Sequence, residues 1–179
     1  MRGSRVAKRY ARALVELAER SQLEAWGAEL ERLARTVDSP ELLRELTSPE
    51  ISLVTRQEAM SKVAERLELS FPLRSLAVVI ARHGRIAETG AIAEAYGELV
   101  DEILGRARAT ITFSSQPADG ELQRVVAGLE GIAKKQIIPT VKVDPALLGG
   151  AVAELGGKTY DGSLAARLHE ARRRLEGQA

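Results

Sequence analysis

Apolar residues in the first hundred positions recur every three or four residues, the spacing of one face of an α-helix. In the first such stretch they are Val6, Tyr10, Leu14 and Leu17, beside a stripe of Ala7, Ala11 and Ala18. A second stretch continues the pattern through Leu23, Trp26, Leu30, Leu33 and Val37. The pattern predicts two amphipathic helices, each with one face against a core.

Polar residues predict where the second, third and fourth helices begin. Ser21 with Glu24, and later Thr55 with Glu58, have the spacing of a capping box, in which a hydroxyl and a carboxylate satisfy free backbone N–H groups. In "SPELLREL", Ser39 is expected to be the N-cap of a short helix, because the proline that follows fits the first helical position. The fourth helix is predicted from about Thr55.

The fifth and sixth helices complete the first part of the chain. The fifth is apolar on nearly every side from Leu76 to Ala81, which predicts a central helix that is covered on most faces. The sixth is predicted from about Ile86 to Gly105, with its inward face formed by Ile92, Tyr96, Leu99, Val100 and Ile103. We therefore predict a six-helix bundle over residues 1–105.

After Gly105 the period of the apolar positions changes from 3.6 to 2. Ala109, Ile111 and Phe113 alternate with threonines and predict a half-buried strand. A helical pattern follows, and then "IIPTVKV", a second strand with Val141 and Val143 on one face. Strand, helix and strand predict a parallel pair with a right-handed crossover. "GAVAEL" and "KTYD" predict a β-hairpin, and a last helix is predicted from about Ser163 to Glu176. The fold class is thus mainly α, with a small α/β module over residues 106–179.

The hairpin segment also contains "GGKT", the tail of a phosphate-binding Walker motif. That motif needs another glycine five positions before Gly157, where Val152 stands, and a helix after Thr159, where "YDGS" follows. A hairpin turn therefore fits this segment better than a nucleotide loop. On the same grounds a phosphate-using enzyme is the weaker alternative.

Composition narrows the classes of function. The chain of 179 residues has no cysteine and two histidines, so we expect neither a metal site nor a cofactor. Its net charge of +1 divides into −2 over residues 1–105 and +3 over residues 106–179, which does not indicate a nucleic-acid-binding protein. No apolar run reaches the length of a membrane span, so no direct membrane insertion is expected.

Two features leave alternatives open. The basic run of Arg2, Arg5, Lys8, Arg9 and Arg12 fits a solvated helix face, or a contact surface for an acidic protein or anionic lipid. The alanine stripe of the first helix and the apolar fifth helix fit either a core packing or a groove that receives an amphipathic helix of a partner.

At this point the order of motifs resembles one family, the delta subunit of bacterial F-type ATP synthases, counterpart of the mitochondrial oligomycin-sensitivity-conferring protein. The resemblance covers nearly the whole chain and depends on "AKRYARAL", "LTSPEI", "RHGRI" and above all "VDPALLGGAVAELGGKTYDGSLAARL". It implies a non-catalytic stator subunit that joins the catalytic head to the peripheral stalk of a rotary, proton-translocating ATP synthase. It also implies a peripheral location at the cytoplasmic face of the cell membrane, as part of the complex.

The resemblance further implies two docking sites. The N-terminal helix of an alpha subunit is expected in a groove between the first and fifth helices, at Tyr10, Ala11, Ala13, Leu14, Leu76, Val79 and Ile80. The C-terminal module is expected to meet the C-terminal ends of the b subunits.

The signature residues of the family are Asp144, Pro145, Leu148, Gly149, Gly150, Gly156, Asp161, Gly162, Ser163, Arg167 and Leu168. Their own chemistry is that of turns: the first glycine pair returns the chain to the sheet, and Gly156 begins the hairpin turn. Either Asp161 or Ser163 is expected to cap the last helix.

Overall fold

The computed structural model describes residues 5–163. The chain divides into two compact units, one ending at Val100 and one beginning at Asp101. The described helices up to that point are α1 Arg5–Leu17, α2 Leu23–Val37, α3 Pro40–Thr47, α4 Leu53–Arg66, α5 Phe71–Arg82 and α6 Thr89–Ile103, with a 3₁₀ turn at Ile86–Glu88. The last residues of α6 belong to the second unit.

The second unit contains one described helix and a four-stranded mixed sheet. Its elements are β1 Arg106–Phe113, α7 Glu121–Ala133, β2 Gln136–Val143, β3 Ala151–Leu155 and β4 Lys158–Asp161. The strand order is β2-β1-β3-β4, with β1 parallel to β2 and antiparallel to β3, and with β3 antiparallel to β4. The parallel strand–helix–strand pair and the hairpin are confirmed, and the described chain is mainly helical.

The core of the first unit includes the predicted face of α2, since Leu23, Trp26, Leu30, Leu33 and Val37 are all buried. Tyr96 of α6 packs across α2. Its ring lies 3.5 Å from the place that a Cβ atom on Gly27 would take. Its hydroxyl donates a hydrogen bond of 3.1 Å to the Leu23 carbonyl. Burial raises the pKa of Tyr96 to about 12, because the phenolate would lose its hydration.

Two helix starts differ from the capping boxes that the sequence predicts. Helix α2 begins after Gln22, whose side chain does not cap the helix but accepts a hydrogen bond of 3.1 Å from the Glu19 amide in the preceding turn. Helix α4 begins before Thr55, because the hydroxyl of Ser52 accepts a hydrogen bond of 3.1 Å from the Thr55 amide. Ser39 is the N-cap residue of α3 as predicted, but its side chain makes no capping bond.

The predicted sixth helix is two elements. The 3₁₀ turn comes first, and α6 begins at Thr89. The buried hydroxyl of Thr89 donates a hydrogen bond of 2.6 Å to the Ile86 carbonyl. Ile103 was expected to point inward, but this prediction is wrong, since Ile103 is 44% exposed. It lies in the last turn of α6, which belongs to the second unit. Helix α5 is buried along one side but not all round, since Val79 is 38% exposed.

The core of the second unit lies on one face of the sheet. Ala109, Ile111 and Phe113 of β1 form it together with Leu129 of α7 and neighbouring residues Ile137, Ala153 and Leu155. Strand β2 is an edge strand, and a side chain covers its first outward N–H: Glu130 accepts from the Ile137 amide at 3.1 Å. Val141 and Val143 lie outside the core cluster and are 37% and 47% exposed.

Candidate docking surfaces

One stripe of α1 faces the core of the first unit. It consists of Ala7, Ala11 and Leu14, which are at most 3% exposed and follow one another at spacings of four and three. Leu17 was predicted to lie on the inward face together with Leu14, but it is 69% exposed, so that prediction is wrong. At about 100° per residue, Leu17 lies some 60° away from Leu14 around the helix.

A second apolar stripe runs beside the buried one and is open to solvent. Its residues are Val6, Tyr10, Ala13 and Leu17, of which the first two are half-buried and the last two exposed. Their spacings of four, three and four keep them on one side of α1. Val6, Tyr10 and Leu17 were predicted to share one face with Leu14, and that prediction did not separate this stripe from the buried one. The spacing was the available signal, and exposure separates the two stripes.

The predicted site residues of helix α5 are likewise partly buried and partly exposed. Ile80 is fully buried and Leu76 is 8% exposed, whereas Val79 is 38% exposed. The most extensive backbone contact of α5 is with α4, followed by α2. Of the seven predicted groove positions, four are therefore core residues, and the accessible ones are Tyr10, Ala13 and Val79.

The signature segment begins as a turn at the end of β2. The amide of Asp144 donates to the Phe113 carbonyl at 2.8 Å, and its side chain accepts from the Ala146 amide at 3.0 Å. Pro145 is exposed, and Leu148 is 73% exposed. The aspartate thus ends the strand and holds a tight turn, while the leucine remains available to a partner.

The first glycine pair brings the chain back into the sheet at close range. Gly149 and Gly150 have φ of +91° and +79°, and β3 starts at the next residue. A Cβ atom on Gly150 would lie 2.5 Å from the Gly162 carbonyl oxygen and 2.9 Å from the Cα of Ser163. Only glycine fits this crossing of two backbone segments.

The second glycine pair is the two-residue turn between β3 and β4. Gly156 and Gly157 have φ of +57° and +77°, and Leu155 pairs directly with Lys158 across the hairpin. Thr159 lies within β4, so no helix begins after "GGKT". The Walker interpretation fails on this geometry, because a phosphate-binding loop needs its glycines at a helix N-terminus.

Asp161 and Ser163 form the end of the described chain. The carboxylate of Asp161 accepts a hydrogen bond of 2.9 Å from the Ser163 amide. Hydrogen bonds from the hydroxyl and then from the amide of Ser163 hold the pKa of Asp161 below its usual range. The predicted last helix, with Arg167 and Leu168, lies outside the described residues, so the choice of its cap stays a prediction.

Within residues 5–163, no three His, Asp or Glu side chains are close enough to hold a metal ion. None of the helices in this range combines the length and apolar character that crossing a membrane requires. Exposed apolar side chains on both units, together with a framework of glycine turns, are typical of docking subunits, which are proteins that bind other chains.

Comparison with known proteins identifies the family of this chain. Residues 6–175 match the family model described as ATP synthase delta (OSCP) subunit. The chain belongs to this family, and the resemblance drawn from the sequence motifs is confirmed. Members of the family are non-catalytic subunits of the ATP synthase complex.

Relatives cover nearly the whole length of the chain. The ATP synthase subunit delta of Anaeromyxobacter sp. (strain Fw109-5) is 37% identical over 174 residues, 96% of this chain and 97% of the relative. That of Citrifermentans bemidjiense is 33% identical over 165 residues, 91% of this chain and 92% of the relative. A chain in the cryo-EM structure of the Toxoplasma gondii mitochondrial ATP synthase hexamer has the same fold, with a TM-score of 0.65, 19% identity and coverage of 96% and 98%.

Proposed function

We propose that this chain is the stator subunit that links the catalytic head of a rotary, proton-translocating ATP synthase to its peripheral stalk, so that the head resists the torque of the rotor. The observation that carries the proposal is the family match over residues 6–175. The complex places the subunit at the cytoplasmic face of the cell membrane without inserting it. The catalytic chemistry belongs to other subunits.

The N-terminal domain predicted over residues 1–105, which includes the first unit, is proposed to bind the N-terminal helix of an alpha subunit. The exposed stripe of α1 and Val79 of α5 are proposed as the accessible contact surface, with the buried residues Ala11, Leu14, Leu76 and Ile80 proposed as the floor of the groove. An amphipathic helix covers such a stripe with its own apolar face. The floor residues are core residues, so they shape the groove without losing solvent exposure on binding.

The C-terminal module predicted over residues 106–179, which makes up most of the second unit, is proposed to bind the C-terminal ends of the b subunits. Its exposed aliphatic side chains support this assignment: Ile132 on α7, Val141 and Val143 at the end of the edge strand, and Leu148 in the following turn. Exposed apolar side chains at the end of an edge strand favour a partner chain over solvent.

Two separate binding sites suit a stator subunit, which must stay bound to both partners under torque. When one partner is already bound, the second binding event is intramolecular, and two modest interfaces together hold about 10²–10⁴ times more tightly than either alone. Stiffness, rather than reactivity, is the property such a subunit needs.

Substitution of Val79 by aspartate tests the proposal. Because Val79 is 38% exposed, Val79→Asp should leave the fold intact, yet it places a charge in the contact with the alpha helix. Burying a polar or charged group without a partner costs about 2 kcal/mol or more, which corresponds to roughly a thirtyfold weaker Kd. Binding to an ATP synthase preparation that lacks the subunit would be measured by co-sedimentation.

Val54→Asp is the matched control. Val54 lies on α4, is 63% exposed and belongs to neither proposed surface, so its variant should bind like the unmodified chain. Equal binding by all three proteins would exclude α5 from the alpha interface. Failure of the unmodified chain to bind would exclude the stator role itself.

A further inference from the structure

Four cations occupy the exposed side of α1 and line a shallow depression there. They are Arg5, Lys8, Arg9 and Arg12, with Ala13 and Glu16 at the edge of the same depression. Among the described residues, none of the four has an ion-pair partner. We call these four side chains the basic strip.

Without a partner, the positive charges of the basic strip lower the stability of α1. The N-terminus of a helix carries a partial positive charge and favours acidic residues, yet the first turn of α1 has none. Within the strip, residues also lie three or four positions apart, where like charges repel each other. A protein in which α1 met only solvent would gain stability by losing these charges. The strip therefore fits an anionic group that is supplied from outside.

The basic strip borders the exposed apolar stripe of α1. Arg9 stands one turn from Ala13 on the helix, and its guanidinium carbon lies 5.7 Å from the centroid of the Tyr10 ring. The apolar stripe and the uncompensated charge are thus neighbouring surfaces of one helix. A partner helix that covers the stripe brings one of its own edges over the strip.

We propose that the helix bound on α1 is acidic along the edge that faces the basic strip, and that its carboxylates form ion pairs with Arg9 and Arg12. This inference depends on the proposed function, since the occupant is the N-terminal helix of the alpha subunit. The strip spans about two turns, so carboxylates at positions i, i+3 or i+4, and i+7 of the partner would match it. The adjoining apolar stripe disfavours a nucleic acid, for which a cationic surface alone would be enough. An anionic lipid surface could use both the stripe and the charges, and it is the family match over residues 6–175 that favours a helix of another subunit.

Binding of a synthetic peptide that covers the N-terminal helix of the alpha subunit from the same organism tests this inference. Its Kd for the full chain would be measured calorimetrically at about 30 and 300 mM NaCl, where ionic screening differs strongly. We expect the double variant Arg9→Gln, Arg12→Gln to bind about fivefold more weakly at low salt, as the loss of two exposed ion pairs predicts. At high salt the two proteins should differ little.

Two matched controls isolate the ion pairs. The variant Arg32→Gln, Arg35→Gln removes the same charge from exposed positions of α2 and should bind like the unmodified chain. A peptide whose acidic residues are replaced by their amides should bind the unmodified chain and the double strip variant equally. A thermal unfolding curve shows that the strip variant keeps its fold.

The possible results separate the two proposals. Equal Kd values for the strip variant and the unmodified chain at low salt would overturn the acidic-helix inference while leaving the groove assignment in place. An alpha N-terminus without acidic residues would overturn it as well. No binding of the peptide to the unmodified chain would overturn both, and binding of the strip to phosphatidylglycerol vesicles instead would show that its partner is a membrane.

Discussion

Replacing Gly150 by alanine should destabilise the second unit selectively. The added Cβ would lie 2.5 Å from the Gly162 carbonyl oxygen and 2.9 Å from the Cα of Ser163. Both are backbone atoms, so no side-chain rotation relieves the contact, and the end of β4 has to move away from the start of β3. That shift also strains the hydrogen bond of 2.9 Å from the Gly162 amide to the Ala151 carbonyl.

Two terms set the size of the effect. A residue with a Cβ at φ of +79° costs about 1–2 kcal/mol, and forcing extra volume into a packed site costs about 1–3 kcal/mol. Gly157→Ala contains only the first term, because Gly157 has nearly the same φ of +77° but no atom lies within 4 Å of the place a Cβ would take. The difference between the two variants therefore measures the second term. Gly150→Ala should therefore be less stable than Gly157→Ala by about 1–3 kcal/mol, which is roughly 5- to 150-fold in an opening equilibrium.

Amide hydrogen exchange measures this difference in the intact chain. Protection of the central strands β1 and β3 should fall further in Gly150→Ala than in Gly157→Ala, because exchange from these strands reports the opening of the second unit. The fluorescence of Trp26, which lies in the first unit, should be the same in both variants. Equal exchange in the two variants would refute the close crossing at Gly150.

Two further predictions concern titrating groups. Because the pKa of Tyr96 is raised to about 12, the folded chain keeps its phenol proton above pH 10 while the unfolded chain releases it. The free energy of unfolding of the first unit, measured by Trp26 fluorescence in urea, should thus fall by about 2 kcal/mol between pH 10 and 12. Tyr96→Phe should abolish that part of the pH dependence. The carboxyl of Asp161 should titrate below its usual pKa by NMR, so its stabilising hydrogen bonds are present at neutral pH and are lost as pH falls through that lowered value. Ser163→Ala should bring the pKa of Asp161 back towards the usual one, and an unchanged pKa would contradict the assigned cause.

Most elements of the fold could be predicted from the sequence because their signals are local. Helical spacing located α2 to within a residue or two, and alternation located β1, with Ile111 and Phe113 inward as predicted. The two-glycine turn between β3 and β4 follows from the need for positive φ at both positions. Helix starts were less predictable, since several polar residues compete and a neighbouring turn decides which one caps.

The candidate docking surfaces could be identified only from the packing of the folded chain. Leu14 and Leu17 look alike in sequence, but one is 3% exposed and the other 69%. Periodicity shows which residues share a face and does not show which of two adjacent apolar stripes meets the core. The resemblance of the motifs indicated the region of the groove, whereas burial separated its floor, such as Ile80, from accessible contacts such as Val79.

By itself, the sequence determined the class of this protein, the order of its elements and the turns that glycine requires, because each depends on residues close together along the chain. Only the tertiary structure decided that Gly150 crosses Gly162 and that Tyr96 is buried against α2. It also decided that the apolar stripe and the basic strip of α1 are both open to solvent. Exposure depends on neighbours that are distant in sequence, and the contacts between them form only when the chain packs.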